Sequence, residues 1–256
     1  MRVKSLKVFI RIAVLGLLLG AWSTAHADTV AITSLTISDI QFNAATGTAV
    51  FTPTGVSVRA DANSSFGQTQ NIVTNTLPFA QATAAVPGAS TFASANAANN
   101  TLTGINLATV GGCSCFASSF AVATLGGTLV IVGAEGSVDV NISALGSILR
   151  DLQTDEFGAL AQADLVFTLF VNDQRVFSVE VDVFHELDGP NRFVLLEGSF
   201  PLSGTIRLES GVENTISARL SSGSAAVSEV PEPATIVLLV SGLGFMTGVL
   251  KKRRDG

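Results

Sequence analysis

From Asp28 onward the dominant pattern is alternation with a period of two. "TVAITSLTISDIQF" and "TAVFTPTGVSVRADA" place β-branched or apolar residues at every second position. That is the signature of strands with one face buried. "FAVATLGGTLVIVGAEGSVDVNISA" continues in strands broken at glycines. "DLVFTLFVNDQRVFSVEVDVF" is two β runs around Asn172-Asp173-Gln174, which predicts a hairpin. "RFVLLEGSFPLSGTIRLES" and "TISARLSS" supply further strands. Two stretches depart from the pattern. "VPGASTFASANAANNTLTG" has few large apolar side chains and predicts an irregular loop. Leu145, Ile148, Leu149, Leu152, Phe157 and Leu160 are spaced partly as on a helix, which predicts a short helix over 145–160. The expected fold class is mainly β: an antiparallel β-sandwich or barrel-like body spanning 28–220. Residues 221–229, "SSGSAAVSE", read as a flexible Ser/Ala linker. No internal repeat is visible.

The two ends of the chain carry a different pattern. Arg2, Lys4 and Lys7 precede an apolar run from Ile12 to Trp22, and Ala25-His26-Ala27 follows as a small-x-small site. This is the layout of a secretory signal peptide over 1–27, cleaved between Ala27 and Asp28. Arg11 reads as the last residue of a long basic region; the alternative is an uncleaved N-terminal anchor. At the other end, residues 234–250 are uncharged and would rise about 25 Å as a helix. Such a helix can cross a bilayer when flanking lysines snorkel. Lys251, Lys252, Arg253 and Arg254 follow it directly and should stay cytoplasmic. The body between the two signals is therefore expected outside the cytoplasm.

Pro231-Glu232-Pro233 lies just before the apolar segment. The two prolines deny helix and keep the peptide extended, the form a protease cleft binds. The tail from Val230 to Gly256 resembles the PEP-CTERM sorting signal of Gram-negative bacteria, which joins a Pro-Glu-Pro motif, a transmembrane helix and a basic end in that order. The resemblance covers 27 residues of 256. It implies an exosortase as partner, a cut near Pro231–Pro233, only transient attachment to the membrane, and release to the cell surface or the medium. It also implies a host that makes exopolysaccharide or biofilm. The same tail occurs on some ice-binding proteins, so it addresses the body without specifying an activity. The bland alternative is a permanently anchored single-pass protein.

Charge and composition narrow the function of the body. All four lysines lie in the two terminal signals, leaving six arginines against eighteen Asp and Glu, a net charge of about −12. A nucleic-acid partner requires a positive footprint, so none is expected. The chain has no Tyr, and its one Trp, Trp22, belongs to the signal peptide. That disfavours the usual aromatic sugar platform and assigns the many phenylalanines to a core.

Cys113 and Cys115 are separated by one residue and would be exported to an oxidising compartment. A local disulfide, free or intermolecular thiols, and a metal site are the three readings. His185 is the body's single histidine, and it stands among Glu180, Asp182, Glu186 and Asp188. These four carboxylates can ligate Ca²⁺ or form a solvated face; no other cofactor is expected. The lone histidine has no Gly-x-Ser-x-Gly elbow beside it.

The leading expectation is a non-enzymatic, exported surface or matrix protein with a structural or adhesive role. The alternative is a calcium-assisted polysaccharide-binding module using the four carboxylates. A secreted hydrolase and an ice-binding protein rank below these. The targeting analysis makes one direct prediction. In a host with its exosortase intact, the mature protein should have the intact mass of a chain from Asp28 to about Glu232. A mass that still includes Gly256 would show a resident single-pass protein instead.

Overall fold

The computed structural model describes residues 28–111, 115–154, 160–180, 185–188 and 192–228. The two terminal signals lie outside these residues. The elements, in chain order, are β1 (Asp28–Ala44), β2 (Thr48–Ser64), β3 (Gly67–Thr76), β4 (Phe79–Val86), β5 (Ala89–Asn96), β6 (Thr101–Gly111), β7 (Cys115–Val132), β8 (Ser137–Thr154), β9 (Leu160–Val171), β10 (Gln174–Glu180), β11 (His185–Asp188), β12 (Arg192–Glu209) and β13 (Asn214–Ser228). They form two antiparallel sheets. The first has the order β12-β8-β1-β6-β5-β4; the second has the order β10-β9-β13-β7-β2-β3, with β11 also pairing with β9. The sheets stack face to face, with β1 over β9 and β13, β6 over β7 and β13, and β5 over β2 and β7. The body is therefore a sandwich.

Alternation explains most of the burial. On β7 and β9 every second residue is buried from end to end. In β1 and β2 a bulge switches which set of side chains points inward. In β1 the register with β8 shifts between Ser38 and Gln41, where Asp39 takes a positive φ of 53°. One extra residue turns the strand over. Ala31, Thr33, Leu35 and Ile37 point inward before it, and Ile40 and Phe42 after it. In β2 the register with β7 shifts between Pro53 and Gly55. Phe51 packs on the core before that bulge, and Val56, Val58, Ala60 and Ala62 are buried after it. The rings of Phe42 and Phe51 meet at 5.0 Å between centroids. Phe51 also lies over Gly127, where a Cβ would come within 2.3 Å of the ring.

Three sequence expectations change. Residues 145–154 do not form the expected helix: they belong to β8, an 18-residue strand whose inward positions include Ile148 and Leu152, while Leu160 begins β9 and Phe157 lies outside the described residues. The leucines at 145 and 149 that suggested helical spacing occupy the outward positions of that strand. The Ala/Ser/Asn stretch is not a loop: Ala89–Asn96 is β5, with Ala89, Ala93 and Ala95 buried. Residues 221–228 are not a linker: they are the second half of β13, hydrogen-bonded between β7 and β9. Both misreadings took small side chains for absent structure. Small side chains suffice here because the sheets come close. A Cβ on Gly104 of β6 would lie 2.3 Å from Ser222 Oγ, 2.9 Å from Leu220 Cδ2 and 3.2 Å from Ala121 Cβ, all in the opposite sheet. The expected hairpin is present, and its turn residues Asn172 and Asp173 both have positive φ, as a two-residue turn of type I′ requires.

A polar row crosses the core. Thr33 of β1, Asn106 of β6 and Thr91 of β5 are neighbours in the first sheet and are buried. Asn106 Nδ2 donates to Ser222 Oγ (2.7 Å) and Thr33 Oγ1 (3.2 Å), and its Oδ1 accepts from Thr91 Oγ1 (2.8 Å). Thr33 Oγ1 and Ser224 Oγ are 3.0 Å apart. Ser222 and Ser224 belong to β13, so the network joins the two sheets. The row continues to Arg150 of β8, whose Nε and Nη1 are buried and meet no hydrogen-bond partner.

The first sheet ends at β12, which pairs with β8 over all 18 residues and places Pro201 opposite Leu145. Proline has no N–H to give the ladder and is tolerated on an edge strand with that side turned outward.

The close approach at Gly104 yields a paired prediction. Gly104→Ala should cost about 1–3 kcal/mol through overpacking. Gly198→Ala, with nothing within 4 Å of its added Cβ, should change stability by less than about 0.5 kcal/mol. Urea midpoints of the two variants provide the comparison.

Candidate functional site: a trough on the outer face of the second sheet

The outward positions of β9, β13, β7 and β2 form a shallow trough of about 250 Å³. Register places its lining in two rows across the strands. Asp164, Gly223, Phe120 and Asp61 form one; Gln162, Ala225, Ser118 and Asn63 form the other. The floor is β13, because Gly223 and Ala225 carry almost no side chain between longer neighbours. A Cβ on Gly223 would sit 3.4 Å from Phe120 Cδ2 and 4.0 Å from Asp164 Cβ, so the two walls stand close on either side.

One wall is pinned in place. Arg59 Nε donates to Asp61 Oδ2 at 2.6 Å, and Gln70 Nε2 donates to Asp61 Oδ1 at 2.6 Å. All three residues sit at outward positions, with Arg59 and Asp61 successive on β2 and Gln70 opposite Asp61 on β3. The Arg59 side chain is 49% exposed, so water screens the pair and its value is mostly orientation. The charge of Asp61 is thereby compensated, and Asp164 faces it from β9.

The arrangement can accept and donate hydrogen bonds through two carboxylates, two amides and a hydroxyl, and it offers the half-buried ring of Phe120. Its volume lies below the roughly 300–1,000 Å³ of pockets that enclose a small molecule. It is open along β13, so it suits a ligand lying across the surface.

The residues singled out from sequence fall elsewhere. Pro231, Glu232, Pro233, Ala27, Lys251, Lys252, Arg253 and Arg254 lie outside the described residues, as do Asp182 and Cys113. Cys115 is disulfide-bonded, and Cys113 is the chain's one other cysteine. Backbone register separates the proposed calcium ligands. Glu180 stands opposite Val166 and Asp188 opposite Leu160 on β9. Six residues of strand are about 20 Å, too far for one ion with ligands at about 2.3–2.6 Å. Glu186, opposite Gln162, is the carboxylate position next to Asp188 on β11. His185 stands opposite Ala163. No group of three or more metal-ligating side chains occurs among the described residues.

Sequence reasoning missed the trough. Its members come from four strands spread over more than 160 positions, and each alone reads as an ordinary solvated residue. The signal that was available is the run of small residues "SSGSAA" beside polar outward positions on neighbouring strands.

No family model, curated protein or solved structure matches the chain.

The exposed geometry at Asp61 yields a stability prediction. Arg59→Ala should cost less than about 1 kcal/mol, as exposed pairs do. A small shift in the urea midpoint is the expected reading; a loss of several kcal/mol would show that the pair anchors the β2–β3 edge.

Proposed function

We propose that the chain is an exported, exosortase-processed surface or extracellular-matrix protein of a Gram-negative bacterium, with a structural or adhesive role. The observation that carries this reading is the pairing of an N-terminal export signal with the three-part tail at Pro231–Arg254. Two features of the body support it. Strands of 17 and 18 residues at about 3.3 Å per residue give a sandwich extended to nearly 60 Å along the strands. Its outer face on the first sheet carries a row of hydroxyls, Ser199, Ser147, Thr36, Thr103 and Ser94, at successive cross-strand positions. Such a body presents large, flat, polar surfaces on a stiff frame. The role is non-enzymatic on this reading, because the trough is too shallow to enclose a reacting group and exclude water.

A second reading, attachment to polysaccharide, is favoured by the trough itself. Its mixture of amides, carboxylates and one aromatic ring matches polyol chemistry. Calcium is not needed for that attachment.

Sorting is tested with the double variant Pro231→Ala, Pro233→Ala. Wild-type chain is expected in the surface and medium fractions, and the variant in the inner-membrane fraction. Cells producing only the variant should form a less cohesive matrix. An unchanged distribution between fractions would remove the exosortase from the proposal.

A further inference from the structure

We propose that the end of the sandwich from which β13 leads into the tail rests on the lipid bilayer, with Phe66, Phe116 and Phe193 set into the headgroup boundary. The inference depends on the reading above that residues 234–250 cross the membrane before the tail is cut.

Topology gathers these rings at one end. β13 finishes at Ser228, opposite Cys115 at the start of β7, and Phe116 stands opposite Val227. The turn from β2 to β3 lies beside them: Ser65 N donates to the Phe116 carbonyl, and Phe116 N donates to Ser65 Oγ, both at 3.0 Å. In the other sheet Asp28 and Gly111 pair at the same end, and Phe193 stands opposite Gln153, which pairs with Val30. Phe66 is 68% exposed, Phe193 61% and Phe116 41%. Leu195, the next outward position of β12, is 52% exposed. Single exposed apolar side chains are ordinary on a protein surface. Here three of the four exposed phenylalanines among the described residues share one end; the fourth, Phe79, begins β4.

What covers the rings follows from the chain beyond β13. Ala234 opens the uncharged segment six residues after Ser228. Six residues of fully extended chain reach about 20 Å, so this end is tethered within that distance of the bilayer. The rings surround the point of attachment. Phe193 belongs to the edge strand of the first sheet, Phe116 and Phe66 lie on the β7-β2-β3 side of the second, and Ser228 leaves from β13 between them. Contacts on both sheets fix the tilt of the body as well as its depth. The opposite end has the opposite character: Glu135, Asp139, Asp173, Glu209 and Glu213 are exposed in or beside its turns. Such charges stay in water, whereas an apolar ring gains by moving into the boundary. Three rings bury too little area to hold the body alone. The tether keeps them at the surface, and a cut near Pro231–Pro233 lets the body go.

The test exploits composition, because Trp22 is the chain's one tryptophan and lies in the signal peptide. The chain from Asp28 to Gly256 is reconstituted through its tail into phosphatidylcholine vesicles, with and without bromine on the acyl chains. It carries one reporter at a time: Phe66→Trp, Phe193→Trp or, at the far end, Val212→Trp. Emission from the first two should shift to the blue on reconstitution and lose intensity in brominated lipid; Val212→Trp should do neither. Phe116→Trp should be quenched as well, and adding Phe66→Ser and Phe193→Ser should abolish that quenching. Both added positions are exposed, so the unfolding midpoint should hold. The proposal is overturned by chains that float with the vesicles after an alkaline wash yet show no quenching at Phe66→Trp or Phe193→Trp. Equal quenching at Val212→Trp also overturns it. So does a blue shift that brominated lipid leaves unquenched, which would put a second copy of the chain over the rings. A chain that fails to float removes the spanning tail, and the docking with it.

Discussion

Asn106 uses every polar group of its side chain inside the sandwich, and the pairing of both sheets depends on it. Its amide nitrogen reaches Thr33 in its own sheet and Ser222 in the other, its amide oxygen takes the hydroxyl of Thr91, and its backbone carbonyl accepts from Ser224. A buried amide without partners is costly, so this network has one good arrangement and poor neighbours. Slipping β6 by one residue would turn Asn106 to solvent and send Ile105 or Leu107 into the space shaped for it. The apolar pattern alone would tolerate several registers in an alanine-rich sheet. The polar row selects one.

That selection matters most where the core is thinnest. β4, β5 and the adjoining parts of β2 and β7 bury mainly alanine: Ala80, Ala82, Ala84, Ala93, Ala95, Ala60, Ala62, Ala121 and Ala123. Methyl groups contribute little area each, and they identify a register poorly because all are alike. Larger side chains fill the other half, with Leu152, Leu165, Phe167, Leu169 and Leu220 fully buried. The molecule thus has a strongly apolar half and a lightly packed half, and the hydrogen-bonded row runs through both.

Much of the fold was legible because period-two alternation is in plain view on either side of the bulges in β1 and β2 and along the whole of β9. The hairpin at Asn172-Asp173 was legible because its turn chemistry is local. The helix expected near Leu149 failed because leucines on the outward face of β8 mimicked helical spacing. The strands at Ala89–Asn96 and Ser221–Ser228 were missed because propensity reads Ala, Ser and Gly as weak strand formers, while tertiary packing against a close opposite sheet favours them. The site was less legible than the fold. Asp61, Phe120, Gln162 and Gly223 become neighbours only through a register that links β2, β7, β13 and β9, and no local window contains it. The acidic run at Glu180–Asp188 drew the eye because its members are close in sequence, yet strand geometry spreads its two ends along β9.

Pro201, halfway along the outermost strand of the first sheet, bears on how copies of the chain meet at high concentration. A bare strand of that length is a template on which identical chains can zip together into fibres. A missing donor at its midpoint interrupts any such zipper before it gains more than a few rungs on either side. Copies can then be packed at high local concentration and remain individual, discrete units rather than fusing edge to edge.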